Sequence, residues 1–112
     1  MSKIYKNKKI RNEYLRDILY LGIAVQVKVN RKARGLSVAK FAKLSKLSIK
    51  DVKSIERGCK RDLLVSDVTN MAKAFNCGSY VGFVSAADIL EFGSLSDSHR
   101  VIPTFEEETK DD

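Results

Sequence analysis

Apolar side chains recur along the first ninety residues at spacings of three and four, the period of an α-helix packed on one face. Ile10, Tyr14, Ile18, Leu21 and Val25 form the first such stripe. Gly22 lies within it as a point where it can break. A second helical stretch then runs to about Arg34 and stops at Gly35, because glycine accepts the left-handed conformation that ends helices. Ser37 and Ser48 each precede a short periodic segment, where a hydroxyl can accept from a free N–H of the first turn. They predict helices over 37–43 and 48–57, the latter closed by Gly58. A helix over 64–75 would place Val65, Val68, Met71, Ala72 and Phe75 on one face, and one over 79–92 would align Tyr80, Phe83, Val84, Ala87 and Leu90. No segment before residue 100 alternates with the strand period, so the expected fold is all-α.

At 112 residues the chain has room for one domain and a modest core. The pattern divides it into a basic N-terminal arm with an extra helix over 1–20, the main helical domain over 21–92, and a tail over 93–112. That tail, GSLSDSHRVIPTFEEETKDD, holds the one proline and six acids, and is expected to be flexible and to lie outside the core. Within it, 99–105 is a candidate for a short edge strand on a partner.

Charge sharpens this division. The net charge is +7, yet residues 1–61 carry 18 Lys and Arg against 4 Asp and Glu, while residues 62–112 carry 3 against 10. Positive charge gathered in one half is what neutralising phosphates and releasing their counterions requires, which makes nucleic acid the leading partner. A solvated lysine-rich surface is the alternative on charge alone.

The segment 35–58, GLSVAKFAKLSKLSIKDVKSIERG, adds geometry. Two helices can cross at a steep angle only with a small residue at their contact and apolar residues pointing into the angle. Ala42 meets the first need; Phe41, Leu47, Val52 and Ile55 meet the second. The opposite face then carries Ile49, Lys50, Lys53, Ser54 and Arg57, free to enter a major groove. With its GLS, Phe41-Ala42, Leu47-Ser48 and SIERG elements, the segment resembles the helix-turn-helix of the phage-repressor and Cro-like (Xre-like) regulators, and the resemblance extends over about 21–92. It implies a five-helix, lambda-repressor-like DNA-binding domain.

The resemblance also implies roles. Arg31 and Glu56 occupy positions where members form an ion pair joining the first helix to the recognition helix, which makes Glu56 structural in preference to catalytic. Lys50 is the leading candidate for base readout, with Ile49 suited to a thymine methyl and Ser54 and Lys53 beside it. Ser37, Lys40, Lys43, Ser48, Arg57, Lys60 and Arg61 complete the candidate DNA-binding set; Arg57 has the alternative of a solvated charge at a helix end. Three departures stand out. Val38 replaces a glutamine that donates to phosphate. Lys46 replaces a turn glycine, so it either adopts a left-handed conformation at a cost of about 1 kcal/mol or the turn differs. Ser45 replaces an aliphatic residue, whose space Leu44 is expected to fill. The stripe Tyr80, Phe83, Val84, Ala87 and Leu90 is either ordinary core or the interface of a homodimer matched to a palindromic operator.

The function expected is therefore sequence-specific binding of double-stranded DNA in transcription regulation, with sign undetermined. The alternative is an antitoxin-type or other protein-interaction module that autoregulates through its helix-turn-helix, its acidic tail contacting a basic protein. No nucleophile–base pair and no phosphate loop such as GxxxxGK is present, so no enzyme is expected. Cys59 and Cys77 stand far from the lone His99 and form no CxxC, so neither a metal nor another cofactor is expected and both thiols should be reduced. No apolar run reaches the roughly 18 residues of a membrane span, and the basic start lacks a secretory apolar stretch; a cytoplasmic protein without membrane contact is expected.

Overall fold

The first two helical stretches are one helix. In the computed structural model, which describes residues 6–92 and 100–110, α1 spans Lys8–Ala33 and passes Gly22 without interruption. Asn7 caps it, its side chain accepting from the Ile10 N–H. Gly22 is buried, and residues on both sides of it, Ile18, Ala24 and Val27, bury with it. Glycine's helical cost of about 1 kcal/mol relative to alanine is thus overruled by packing on either side. The predicted stripe buries only in part: Ile10, Tyr14 and Leu21 remain exposed, because the N-terminal half of α1 carries little of the core.

Five shorter helices follow among the described residues, and no strand: α2 Val38–Ser45, α3 Ile49–Glu56, α4 Val65–Phe75, α5 Ala86–Phe92 and α6 Phe105–Glu108. Val27, Phe41, Ala42, Val52, Ile55, Met71 and Phe75 form one core joining α1 to α4, with Val38, Leu47 and Val68 packed at its margin. Phe41 and Phe75 stack at 4.6 Å, fixing α2 against α4. Val65, expected on the buried face of α4, is exposed, and the Asp67 carboxylate instead ties that end by accepting from the Leu64 N–H at 3.0 Å. No helix among the described residues is long and apolar enough to cross a membrane.

Two sequence expectations are corrected. The helix expected over 79–92 begins only at Ala86: Gly78, Gly82, Val81 and Val84 disfavour helix, and Ser85 Oγ accepts from the Asp88 N–H at 3.2 Å and so starts the helix there. Tyr80, Phe83 and Val84 consequently do not share a helical face with Ala87 and Leu90, and all three are exposed. The tail is also revised. Residues 93–99, 111 and 112 lie outside the described part, as do 1–5 of the arm, but residues 100–110 dock on the domain. Buried Asn30 accepts from the Ile102 N–H at 2.8 Å and donates to the Arg100 carbonyl at 3.3 Å. Arg34 donates to the Ile102 carbonyl at 2.8 Å and to the Phe75 carbonyl. The Phe105 N–H reaches the Asn76 carbonyl at 3.1 Å, and Asn76 also bonds Glu106. Residues 100–105 form no strand.

Candidate nucleic-acid interface

Ser37 and Ser48 set the starts of α2 and α3 as hydroxyl caps, accepting from the N–H groups of Lys40 at 3.1 Å and Asp51 at 3.0 Å. Between the helices Lys46 takes φ 59° and ψ 35°, so the left-handed alternative holds. Its chirality costs about 1 to 2 kcal/mol, because a Cβ crowds the following carbonyl there. Two features oppose that cost: the Leu47 N–H closes onto the Ala42 carbonyl at 2.9 Å, and Leu47 packs at the core margin.

Ser45 is the third departure. It is fully buried, and its hydroxyl donates to the Phe41 carbonyl at 2.6 Å, so its polar atom is satisfied within α2. Contrary to the sequence expectation, Leu44 does not fill the space; it is exposed. Val38 is half-buried and packs at the margin of the core.

The angle between α2 and α3 is locked from behind. Arg31 donates from Nε to Glu56 at 2.6 Å and from Nη2 to the other carboxylate oxygen at 3.0 Å, while Nη1 donates to the Leu36 carbonyl at 2.8 Å. The two side chains are 11% and 9% exposed, so the pair is largely shielded from water. The hydrogen bond from Glu56 pushes the Arg31 guanidinium above its ordinary range and keeps it charged. One guanidinium thereby joins the end of α1, the loop before α2 and the end of α3.

With Val52 and Ile55 buried, the outer side of α3 presents Lys50, Lys53 and Arg57, spaced three and four apart as one face requires. Lys40 and Lys43 stand three apart on α2, and Lys46 joins the two sets. All six cations are exposed, and none forms an ion pair with a described residue. Ile49 is 47% exposed at the start of α3, and Ser54 is half-buried.

Lys60 and Arg61 differ from this group. Lys60 lies between Asp62 at 3.0 Å and Asp51 at 3.7 Å, with only 14% of its side chain exposed. The bond to Asp62 raises the Lys60 ammonium above its usual value and lowers the Asp62 carboxyl below its own. Lys60 is therefore shared between Asp62 and Asp51, the one acid within α3's first turn, and its charge is spent inside the molecule. Arg61 meets Asp17 at 3.2 Å and lies over the Tyr20 ring, whose hydroxyl donates to the Arg61 carbonyl at 2.9 Å. These contacts pin the α3–α4 loop to α1. Sequence reasoning missed Asp17, Tyr20, Asn30 and Arg34 because their partners lie 41 to 72 residues away, beyond any local pattern. Cys59 is exposed and Cys77 half-buried, both free thiols, and burial pushes the Cys77 thiol up.

Comparison with known protein families, with characterised proteins and with solved structures returned no match to this chain.

Proposed function

We propose that this chain binds double-stranded DNA through α2 and α3 as a sequence-specific regulator of transcription, on the lambda-repressor-like plan its helix-turn-helix segment resembles. The observation that carries the reading is the set Lys40, Lys43, Lys46, Lys50, Lys53 and Arg57: six exposed cations within one helix–turn–helix segment, none spent on a described acid. Such a surface holds its charge for phosphates, and we assign base contact to Lys50 and Ile49, both exposed in the first turn of α3. Selection of bound fragments from random duplexes tests it. One enriched motif with two inverted half-sites supports the reading; retention of duplexes without enrichment replaces it with an architectural role, and no retention refutes it.

A dimer suits an operator of twofold symmetry, and the exposed Tyr80, Val81, Phe83 and Val84 offer the apolar surface for a second copy. The same four residues favour the second reading, a protein-interaction module that autoregulates. Sedimentation of the wild type and of Tyr80→Ser/Phe83→Ser separates the two: a dimer lost in the variant assigns the surface to self-association, and a monomeric wild type leaves it to another protein.

A further inference from the structure

We infer that the N-terminal half of α1 is a second duplex-binding element, contacting phosphates outside the base pairs reached by α3. This rests on the DNA-binding reading above and extends it to residues outside the helix–turn–helix segment.

Gly58, with φ +71°, follows the Arg57 cap of α3 and lies against α1, where a Cβ would be in van der Waals contact with the Tyr20 carbonyl oxygen at 3.7 Å. Arg61, three residues on, is held by Asp17 and Tyr20. The exit of α3 is therefore fastened to α1 at residues 17–21. From Asp17 back to Lys8 the helix continues for nine more residues, about 14 Å at the helical rise. That length corresponds to roughly four base-pair steps along a duplex.

Charge along this projection is of one predominant sign. Lys9, Arg16 and Tyr20 are spaced seven and four apart, so both cations share the side of α1 that holds the loop. Lys6 stands at the tip, before the Asn7 cap, and is exposed like Lys9. Asp17 faces two guanidiniums at once, Arg61 at 3.2 Å and Arg16 at 3.5 Å, and so cancels only one of them. Glu13 is the remaining acid on this side, four residues after Lys9 and four before Asp17. Because α1 continues without a break into the buried turns at Gly22, Ala24 and Val27, these charges ride on a helix anchored in the core. A rigid basic helix beside the exit of the proposed recognition helix fits the backbone of the flanking duplex. Its contacts would position the protein and carry no sequence information.

The test uses the full chain and the selected operator, with Lys6→Ala/Lys9→Ala/Arg16→Ala compared with wild type at several salt concentrations. Loss of three phosphate contacts should lower the slope of log affinity against log salt by about 2.7, so a fourfold rise in salt weakens wild type roughly 40-fold more than the variant. The weakening should be equal on operator and unrelated duplex. Trimming about four base pairs from each operator flank should reproduce it in wild type and leave the variant unaffected. Glu13→Gln, which removes an acid near the polyanion, should bind more tightly at low salt. Unchanged slope and affinity in the triple variant, in a wild type that does bind duplex, would overturn this inference alone. Weakening that coincides with loss of a dimer in sedimentation would overturn it too, assigning the helix to a second copy. A wild type that binds no duplex would refute the underlying reading together with this one.

Discussion

Replacing Arg31 with alanine should be among the most damaging single substitutions available in this protein. The change deletes two charge-assisted bonds to Glu56, at 2.6 and 3.0 Å, and the bond to the Leu36 carbonyl at 2.8 Å. What remains is a carboxylate, 9% exposed in the intact pair, with no cation facing it. Breaking one side of a buried ion pair costs about 3 to 5 kcal/mol, and the partial access of this pair to solvent places the expected loss near 3. Glu56→Ala should cost less, about 2 kcal/mol, because Arg31 keeps the Leu36 carbonyl and its long side chain can reach water. The double variant Arg31→Met/Glu56→Leu removes both charges and restores apolar volume, so it should be more stable than Arg31→Ala. With a urea dependence of about 1.5 kcal/mol per molar, 3 kcal/mol is a shift of about 2 M in the unfolding midpoint. Equilibrium denaturation of the four proteins, followed by far-ultraviolet circular dichroism, measures it. A shift below about 0.5 M for Arg31→Ala, or a double variant no more stable than Arg31→Ala, would refute the view that this pair locks α1 to α3.

Three further outcomes follow from the same geometry. Lys46→Gly should relieve left-handed strain of about 1 to 2 kcal/mol against a glycine entropy cost of about 0.5 to 1, giving a melting temperature a few degrees higher together with weaker duplex affinity; a lower melting temperature would contradict the strain assignment. Lys50→Ala should flatten the base preference at one position in each half-site by about 1 to 3 kcal/mol, whereas Lys43→Ala should weaken all duplexes alike and reduce the salt slope by about one; isotherms on single-base operator variants distinguish them, and equal behaviour would leave Lys50 a phosphate contact. Asn30→Ala should destabilise the fold by about 1 to 3 kcal/mol, since it leaves the Ile102 N–H and a buried part of Arg34 without their acceptor, and truncation after Phe92 should cost a similar amount; unchanged denaturation of both proteins would show that residues 100–110 do not dock in solution.

The sequence by itself determined what depends on neighbours within a turn or two. Ser37, Ser48 and Gly58 mark helix boundaries because caps and left-handed ends are satisfied by side chain and backbone a few residues apart, and the starts of α2, α3 and α4 lie within a residue of expectation. The inward set Phe41, Ala42, Val52 and Ile55 was legible for the same reason, since helical period alone sorts one face from the other. Arg31 and Glu56 were placed together only through a family resemblance, and the bond between them is now explicit.

Only the tertiary structure decided the rest, because those outcomes turn on contacts between residues distant in sequence. Gly22 permits a break, but buried neighbours on both sides carry α1 through it. The run from Tyr80 to Leu90 has helical period, yet glycines and β-branched residues with nothing to pack against leave its first half out of helix. Composition marked the C-terminal segment as solvent-bound, but Asn30 and Arg34 offer its backbone donors and acceptors at the joined ends of α1 and α4. Arg61 read as a free charge until folding brought Asp17 to it, and Lys60 gained Asp51 of α3 in addition to its sequence neighbour Asp62. Charge in a sequence is only a count; which cations remain available to a partner is settled by which acids the fold places within reach.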